Sequence, residues 1–318
     1  MWKNIGAQIT RATGTQFEIV DCQSIGGGCI NQVYRISNDP RSPSNRQDYL
    51  LKLNRASLIE MFVAEAAGLS ELGATATIKV PTPICWGIAG EYSYLVLEYL
   101  DLTTTANSQN WAEMGSNLAA MHRSLEKVLD LGKPQERTFR FRQIDGVKFG
   151  WHTHNTIGST AQLNTWETDW ATFFADRRIG YQLQLAQAKG GVFPQAAALL
   201  QAIPHILADR QPQPSLVHGD LWGGNASFTT AGIPVIFDPA TYWGDREVDL
   251  AMTELFGGFP VDFYQGYERV YPLAPGYSQR KDLYNLYHIL NHYNLFGGSY
   301  RSQANTTIDR LLRDFPGS

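Results

Sequence analysis

Residues 218–225 read His-Gly-Asp-Leu-Trp-Gly-Gly-Asn, and a further aspartate, Asp238, stands thirteen positions after the asparagine that ends this stretch. In the catalytic loop of kinases, an aspartate accepts the proton of the substrate hydroxyl and an asparagine binds magnesium, while an aspartate on the next strand completes the metal site. All three side chains offer oxygen, the ligand that a hard cation prefers. The stretch therefore predicts Asp220 as the catalytic base, and Asn225 and Asp238 as magnesium ligands.

The same stretch also has a plainer interpretation. Aspartate, glycine and asparagine are common in tight turns, and Gly223-Gly224-Asn225 fits such a turn. Two short apolar runs, Ser215–Val217 and Pro234–Asp238, flank the stretch and predict strands whose ends carry the polar residues. The joint pattern favours the catalytic interpretation over the turn alone.

Strand patterns dominate the first hundred residues, and helical patterns dominate the rest. The predicted strands of the first part comprise residues 17–25, 31–36, 49–53 and 93–99. Apolar residues at helical spacing predict helices over residues 57–72, 111–122, 166–185 and 282–295. The predicted fold is α+β and two-lobed, protein-kinase-like, with a small β-rich lobe over residues 1–100 and a larger, mainly helical lobe over residues 101–318.

A lysine stands inside an apolar run of the small lobe. Lys52 lies within Tyr49–Leu53, where a buried charge is costly unless it is paired. Kinases provide two partners, the phosphates of ATP and a glutamate on the following helix. Glu65, in the helical pattern over residues 57–72, is the candidate glutamate. The alternative is that Lys52 extends to solvent from a strand edge and that Glu65 is a surface charge.

Three consecutive glycines, Gly26, Gly27 and Gly28, join the first two predicted strands. Their backbone amides are predicted to bind the phosphates of ATP. The run lacks the Gly-x-Gly-x-x-Gly pattern of protein kinases and the Gly-Lys-Ser/Thr end of a Walker loop, so a flexible hairpin turn explains it equally well. Its position before Lys52 favours the phosphate-binding role.

Cys29 directly follows the glycines and suggests redox control. Backbone amides and nearby Lys52 would make its surroundings electropositive, which favours the reactive thiolate. Oxidation to a sulfenic acid, or to a disulfide between chains, would then reshape the phosphate site reversibly. The alternative is that Cys29 packs beneath the loop. Cys22 and Cys85 are predicted to be ordinary core residues.

Other parts of the site are predicted from their position in the chain. Main-chain groups of Glu98, Tyr99 and Leu100, at the junction of the two lobes, are expected to contact adenine. His218 and Asp249 are expected to support the catalytic loop. Asp249 also opens an apolar helical pattern, which it could cap.

Bulk composition excludes several classes of protein. The chain has 318 residues, enough for two lobes, and its net charge of −4 argues against nucleic acid as a partner. No apolar run approaches the roughly 20 residues that span a bilayer, so no membrane is expected. Three scattered cysteines and the lack of a signal-peptide pattern predict a reduced, cytoplasmic protein. The oligomeric state stays open.

Several segments together resemble the fructosamine (ketosamine) kinase family. They are the glycine run and residues 149–152, 155–160, 217–225 and 237–251. The similarity covers nearly the whole chain. It implies a protein-kinase-like fold and the use of ATP and Mg²⁺ to phosphorylate the 3-hydroxyl of ketosamines, either small molecules or protein-bound adducts. It also implies deglycation, because a 3-phosphate promotes breakdown of the adduct.

The residues that bind the sugar are less well defined. Aromatic and amide side chains suit a sugar-amine substrate, and the candidates are His152, Asn155, Trp222 and Trp243. Each aromatic has the alternative of an ordinary core position. Two other functions stay open. An aminoglycoside- or choline-type phosphotransferase would need a strongly acidic cleft for its cationic substrate. A non-catalytic ATP-binding module would be expected to lose Asp220 or Asp238.

Overall fold

A computed structural model describes residues 1–26, 30–39, 46–124 and 148–315 of the chain. The strands of the small lobe are β1 (Asp21–Ser24), β2 (Gln32–Ser37), β3 (Asp48–Arg55), β4 (Pro83–Ala89) and β5 (Tyr92–Glu98). They form one antiparallel sheet in the order β1-β2-β3-β5-β4. The predicted α+β, two-lobed class is confirmed.

Two helices cover the sheet, α1 (Trp2–Thr13) and α2 (Ile59–Ala74). Successive side chains of a strand point to opposite faces, so the two faces of β3 meet different helices. Leu51 packs in a small core with Ile5 of α1, whereas Lys52 on the other face reaches Glu65 of α2. This alternation directs the lysine away from the small core and toward the cleft between the lobes.

The large lobe is mainly helical. Its helices are α3 (Ser108–His122), α4 (Trp170–Phe173), a π-helix (Phe174–Gly180) that continues into α5 (Tyr181–Ala188), α6 (Ala196–Ile206), α7 (Glu247–Leu255), α8 (Val261–Val270), α9 (Tyr277–Phe296) and α10 (Tyr300–Asp314). Many residues of α9 are buried, so this helix runs through the core. Among the described residues, no helix combines the length and apolar character needed to cross a bilayer.

Short strands of the large lobe position the candidate site. They are β6 (Leu102–Thr103), β7 (Asn155–Ile157), β8 (Thr160–Gln162), β9 (Ser215–Val217), β10 (Ala226–Thr229), β11 (Pro234–Ile236) and β12 (Tyr242–Gly244). The pairings are β11-β10-β6, β12-β9 and the hairpin β7-β8. The proposed lobe boundary at residue 100 falls between β5 and β6 and stays a prediction.

The observed strands differ from the predicted strands at two places. The strand expected over residues 17–25 begins only at Asp21. β4 was not predicted because prolines 81 and 83 suggested a break, yet Pro83 begins an edge strand, where a missing N–H can be tolerated. The prediction that Cys22 lies in the core is wrong: Cys22 is exposed because β1 is the opposite edge strand.

The helix expected over residues 166–185 also begins later than predicted. Asp169 caps α4, because its carboxylate accepts a hydrogen bond from the Thr172 amide at 2.8 Å. The helical path then continues through the π-helix to the end of α5. The cap sets the start of the helix, which hydrophobic spacing alone places too early.

Candidate active site

The stretch 218–225 forms the loop between β9 and β10. The side-chain nitrogen of Asn225 donates to the backbone oxygen of Asp220 at 2.8 Å and to its carboxylate at 3.2 Å. A backbone hydrogen bond of 2.9 Å from Asn225 to Trp222 closes the turn. The loop thereby brings Asp220 and Asn225 into direct contact.

Gly219 determines the path of the chain into Asp220. Its φ is +81°, and a Cβ at this position would lie 2.2 Å from the backbone oxygen of Ala240. Next to it, the buried ring of His218 accepts from the Asp220 amide through Nδ1 at 3.2 Å, and its Nε2 faces the backbone oxygen of Phe237 at 2.9 Å. Burial lowers the pKa of His218, so the ring is neutral and carries its proton on Nε2.

Asp249, in α7, holds the backbone of the same loop. Its carboxylate accepts hydrogen bonds from the amides of His218 at 2.7 Å and Gly219 at 2.8 Å, and contacts His122 Nε2 at 3.1 Å. Burial alone would raise the pKa of Asp249, but His122, His218 and these donors outweigh it and lower the pKa. An ionised, buried carboxylate in α7 therefore holds the backbone at the start of the loop.

Asp238 stands just beyond the end of β11, beside the end of the catalytic loop. The amide of Phe237 donates to the backbone oxygen of Asn225 at 3.0 Å, which makes the two segments neighbours. Asp238 has a φ of +57°, a left-handed conformation that is costly for a residue other than glycine and that clusters at functional sites. Its side chain is 49% exposed.

Lys52 pairs with two carboxylates. Its ammonium group lies 2.5 Å from the carboxylate of Glu65 and also contacts Asp238. Burial alone would lower the pKa of Lys52, but the charges of Asp238 and Glu65 outweigh it and raise the pKa. Burial raises the pKa of Glu65, and Lys52 offsets only part of that rise. The structure thus brings Lys52 and Glu65 together and adds Asp238 to the pair.

Asp220 has an unusual protonation equilibrium for a carboxyl group. Burial, reinforced by the negative charge of Asp238, raises the pKa of Asp220 to about 7, while the hydrogen bond from Asn225 opposes the rise. His288 of α9 lies on the other side, with Nδ1 at 4.0 Å from Asp220 Oδ1. Burial lowers the pKa of His288 to about 3, so this neighbour is neutral. A carboxylate that titrates near neutral pH suits a general base.

A cavity of about 200 Å³ joins these groups. Lys52 and Glu65 line it from the small lobe, and Asp220, Asn225 and Asp238 line it from the large lobe. The hairpin β7-β8 forms part of its wall. The candidate base, the candidate metal ligands and the lysine therefore share one space between the lobes.

Two of the four predicted sugar-binding residues line this cavity. Asn155 is buried; its side-chain nitrogen donates to the backbone oxygen of Thr241, and its oxygen accepts from Gln162 and Asn164, each at 2.8 Å. One N–H of the Asn155 amide is left over from these bonds. Trp222 is 39% exposed. Both positions are compatible with contact to a substrate.

The other two candidates, His152 and Trp243, do not line the cavity. His152 is exposed and packs against Trp151, with ring centroids 4.3 Å apart. Trp243 is buried, and its indole nitrogen donates to Glu71 at 2.9 Å. The structure gives Trp243 the core position that was the alternative to substrate binding, because its ring is packed away from the cavity.

Glu98, Tyr99 and Leu100, the predicted adenine contacts, lie at and just after the end of β5 and do not line this cavity. The carboxylate of Glu98 accepts from Lys79 through both oxygens at 2.7 Å. The guanidinium of Arg35 lies over the ring of Tyr99, 4.4 Å from its centroid. The adenine contact stays a prediction.

The glycine run is only partly described. Gly26 follows β1, whereas Gly27, Gly28 and Cys29 lie outside the described residues. The phosphate-binding role of the glycines and the redox role of Cys29 therefore stay predictions.

The described residues contain no group of three or more histidine, cysteine, aspartate or glutamate side chains placed to hold a metal. A magnesium ion in a kinase needs only one or two protein carboxylates, since phosphate oxygens and waters supply the rest. Asp238 offers a carboxylate, and Asn225 offers an amide oxygen, because its nitrogen is bonded to Asp220. These two residues fit a magnesium ion that is shared with bound phosphates.

Two residues near the site were missed by the sequence analysis. Glu71, in α2, accepts hydrogen bonds from the indole nitrogens of Trp151 and Trp243. Arg178, fully buried in the π-helix, lies 4.0 Å from the ring centroid of Tyr242 and donates to Asn164 at 2.8 Å, which supports the hairpin β7-β8. Glu71 is a charge inside an apolar helical pattern, the same signal that marked Lys52 in a strand, whereas Arg178 directly follows the charged residues Asp176 and Arg177 and carries no such signal.

Comparison with known proteins places the chain among kinases. The sequence profile of the fructosamine kinase family matches residues 1–314. A protein of Synechocystis sp. named "Probable ketoamine kinase" is 50% identical, over 98% of this chain and 97% of its own length. The chloroplastic protein-ribulosamine 3-kinase of Arabidopsis thaliana is 39% identical, over 94% of this chain and 85% of its own.

Solved structures agree with these relatives. A crystal structure from Haemophilus somnus 129PT, assigned as a fructosamine-3-kinase, matches with a TM-score of 0.84 and 32% identity over 98% of each chain. A choline kinase from Streptococcus pneumoniae, 15% identical over 98% of this chain and 99% of its own, has a TM-score of 0.59 and shares the fold alone. The predicted kinase-like fold is confirmed, and the chain is a kinase that belongs to the fructosamine kinase family.

Proposed function

We propose that this chain uses ATP to phosphorylate the 3-hydroxyl of ketosamines, the fructosamine and ribulosamine adducts that sugars form with amines. The observation that carries the proposal is the convergence of Asp220, Asn225, Asp238 and Lys52 on one cavity in a member of this family. The relatives named as a ketoamine kinase and a protein-ribulosamine 3-kinase support the substrate class.

Asp220 is the proposed base. Asn225 contacts its Oδ2, and His288 lies 4.0 Å from its Oδ1, so the carboxylate is held between two neutral side chains. A pKa near 7 lets it accept a proton from the hydroxyl and release it again at neutral pH. Its place at the cavity wall puts it within reach of an acceptor sugar.

Lys52 is the proposed phosphate-binding cation. In the structure it bridges Glu65 and Asp238. Lys52 would keep Glu65 and hold a phosphate oxygen of the nucleotide in place of Asp238, and Asp238 would then be available as a metal ligand together with Asn225. Magnesium at these two residues would neutralise charge on the phosphates.

The charges around the cavity favour a sugar adduct as the acceptor. Among the described residues, its walls hold three carboxylates, Glu65, Asp220 and Asp238, and each has a part in the proposed reaction. No further carboxylate lines the described walls to bind the several positive charges of an aminoglycoside. Asn155 and Trp222, which offer an amide N–H and an aromatic face, are the proposed contacts to the sugar.

The test is a magnesium-dependent transfer assay with a panel of acceptors. Fructosamine and ribulosamine adducts of lysine are compared with kanamycin, choline and homoserine, and NMR of the product locates the phosphate. We expect transfer to the ketosamines at the 3-hydroxyl. Preference for one of the other acceptors, or transfer to none of the panel, would overturn the substrate class.

The proposed biological role follows from the product. A 3-phosphate promotes breakdown of the adduct, so the reaction would remove sugar from amines, whether free or on proteins. The cytoplasmic location predicted from the sequence stays a prediction, and the Arabidopsis relative is named as chloroplastic.

A further inference from the structure

Two tryptophans of the large lobe donate hydrogen bonds to one glutamate of the small lobe. The indole nitrogen of Trp151 lies 2.6 Å from Oε2 of Glu71, and that of Trp243 lies 2.9 Å from Oε1. Both rings are almost completely buried. One carboxylate in α2 therefore joins the two lobes, and we call Glu71, Trp151 and Trp243 together the Glu71 clamp.

The two tryptophans belong to one surface. Gly150 and Trp243 exchange two backbone hydrogen bonds of 2.8 and 2.9 Å, so the two chain segments are fixed to each other. Helix α2 lies directly against this surface, since a Cβ at Gly68 would be 3.0 Å from Oγ1 of Thr241. The clamp is thus a packed contact between the lobes. The two indole hydrogen bonds to Glu71 fix the position of α2 along this contact.

The clamp connects the two chain segments that carry Glu65 and Asp238, the two carboxylates that contact Lys52. Glu65 stands six residues before Glu71 in α2, and Asp238 stands five residues before Trp243. Lys52 contacts both carboxylates. A shift of α2 against the large lobe would change the separation of Glu65 and Asp238, and with it the position of the ammonium group.

We propose that Glu71 is a positioning residue, which fixes α2 against the large lobe and thereby places Lys52 for the phosphates of ATP. The inference rests on the proposed ATP-binding role of Lys52. A carboxylate suits the task because both of its oxygens accept, whereas a glutamine would turn an N–H₂ group toward one of the two indole donors. Burial raises the pKa of Glu71, while the hydrogen bonds from Trp151 and Trp243 oppose that rise and favour the ionised form. Hydrogen bonds to an ionised acceptor are stronger than those between neutral groups.

Two variants of Glu71 and a matched control test the proposal. Glu71→Gln keeps one acceptor and Glu71→Leu keeps none, while Glu60→Gln changes a glutamate in the first turn of the same helix. In Glu71→Leu the KM for ATP should rise at least about tenfold, because one charge-assisted hydrogen bond corresponds to a factor of about ten and this variant removes two. Glu71→Gln should lie between this variant and wild type. The KM for the ketosamine, and both constants of Glu60→Gln, should stay near wild type.

A double-mutant cycle tests whether the clamp acts as a unit. Trp243→Phe removes one donor and keeps an aromatic ring. If Glu71 acts through Trp243, Glu71→Gln should raise the KM for ATP less in the Trp243→Phe background than in wild type. Additive effects in the cycle would contradict a shared role.

Amide hydrogen exchange of the ligand-free protein gives a measurement that is independent of catalysis. In Glu71→Leu, exchange over residues 65–72 should become faster, while exchange in α9 stays unchanged. An unchanged KM for ATP, with activity lost only in proportion to folded protein, would overturn the positioning role, as would unchanged exchange in α2. If wild type transferred phosphate to no ketosamine, the proposed function would fail, and the exchange measurement would still decide on the clamp.

Discussion

Asp220 and Asp238 are two carboxylates of one cavity in different surroundings. Asp238 is half exposed and contacts Lys52, whereas the pKa of Asp220 is raised to about 7 by burial and by the charge of Asp238. Such a difference lets neighbouring acidic residues take different roles, here the proposed cation ligand and the proposed base. The pH dependence of the reaction should therefore report on Asp220.

A base must be deprotonated to act, so activity should fall when the pH drops below the pKa of Asp220. The ratio kcat/KM for ATP reports on the free enzyme and should fall about tenfold per pH unit below pH 7. The inflection in kcat should lie at lower pH, because a bound cation favours the ionised carboxylate. Steady-state profiles across this range check both; a kcat/KM that stays flat from about pH 6 to 8 would contradict the assignment.

Gly219 is the residue whose backbone most directly positions Asp220. In Gly219→Ala the new Cβ would lie 2.2 Å from the backbone oxygen of Ala240, at a φ of +81°. We expect loss of most activity and a destabilisation of about 2 kcal/mol or more. Gly223→Ala is the matched control in the same loop, since its Cβ would meet no atom within 4 Å. Thermal melts and turnover of both variants test this expectation. Wild-type activity in Gly219→Ala would show that the backbone of Gly219 does not position Asp220.

At the scale of elements, β3 and α2 are joined by the ion pair of Lys52 and Glu65. Lys52→Met leaves Glu65 and Asp238 without their shared cation. Breaking a buried pair costs about 3–5 kcal/mol, and the cost here should be smaller because Asp238 is half exposed. We expect a lower melting temperature together with loss of activity.

The double variant Lys52→Met/Glu65→Gln separates stability from catalysis. Removing the charge of Glu65 as well should restore part of the lost melting temperature, because no carboxylate is then left in α2 without its cation. Activity should stay absent in both variants. A double variant no more stable than Lys52→Met would show that the pair does not join the two elements.

Local patterns made several elements and the catalytic stretch predictable. Strand β9 was predicted with its observed bounds, and the positions of Asp220, Asn225 and Asp238 followed from short spacings in the chain. Contacts between distant segments could not be predicted in this way. Glu71 is 80 positions from Trp151 and 172 from Trp243, and no local period connects them.

The difficulty of predicting contacts between distant segments also explains why two of the four candidates for sugar binding do not line the cavity. A tryptophan with a bonded indole N–H in the core and one that faces a cleft look alike in a sequence. Trp222 lines the cavity and Trp243 does not, although both stand in segments that resemble the family. The three-dimensional contacts distinguish them: Trp243 pairs with β9 and donates to Glu71 of α2, whereas Trp222 lines the cavity.

At the scale of the whole molecule, the lobes contact each other around the cavity at several points. Lys52 of the small lobe reaches Asp238 of the large lobe, and Glu71 joins them on the side of α2. At the hairpin β7-β8, a Cβ on Gly158 would lie 3.1 Å from the side chain of Ile30, just after the glycine run. The proposed catalytic groups therefore lie between two lobes that contact each other at several points.

Asp220 is the proposed base of phosphoryl transfer in this cavity. The most direct measurement is the turnover of a ketosamine by Asp220→Asn, made together with its affinity for ATP. We expect ATP affinity close to wild type and a kcat lower by about a hundredfold or more, the size of a general-base contribution. Turnover close to wild type in this variant would show that Asp220 is not the base.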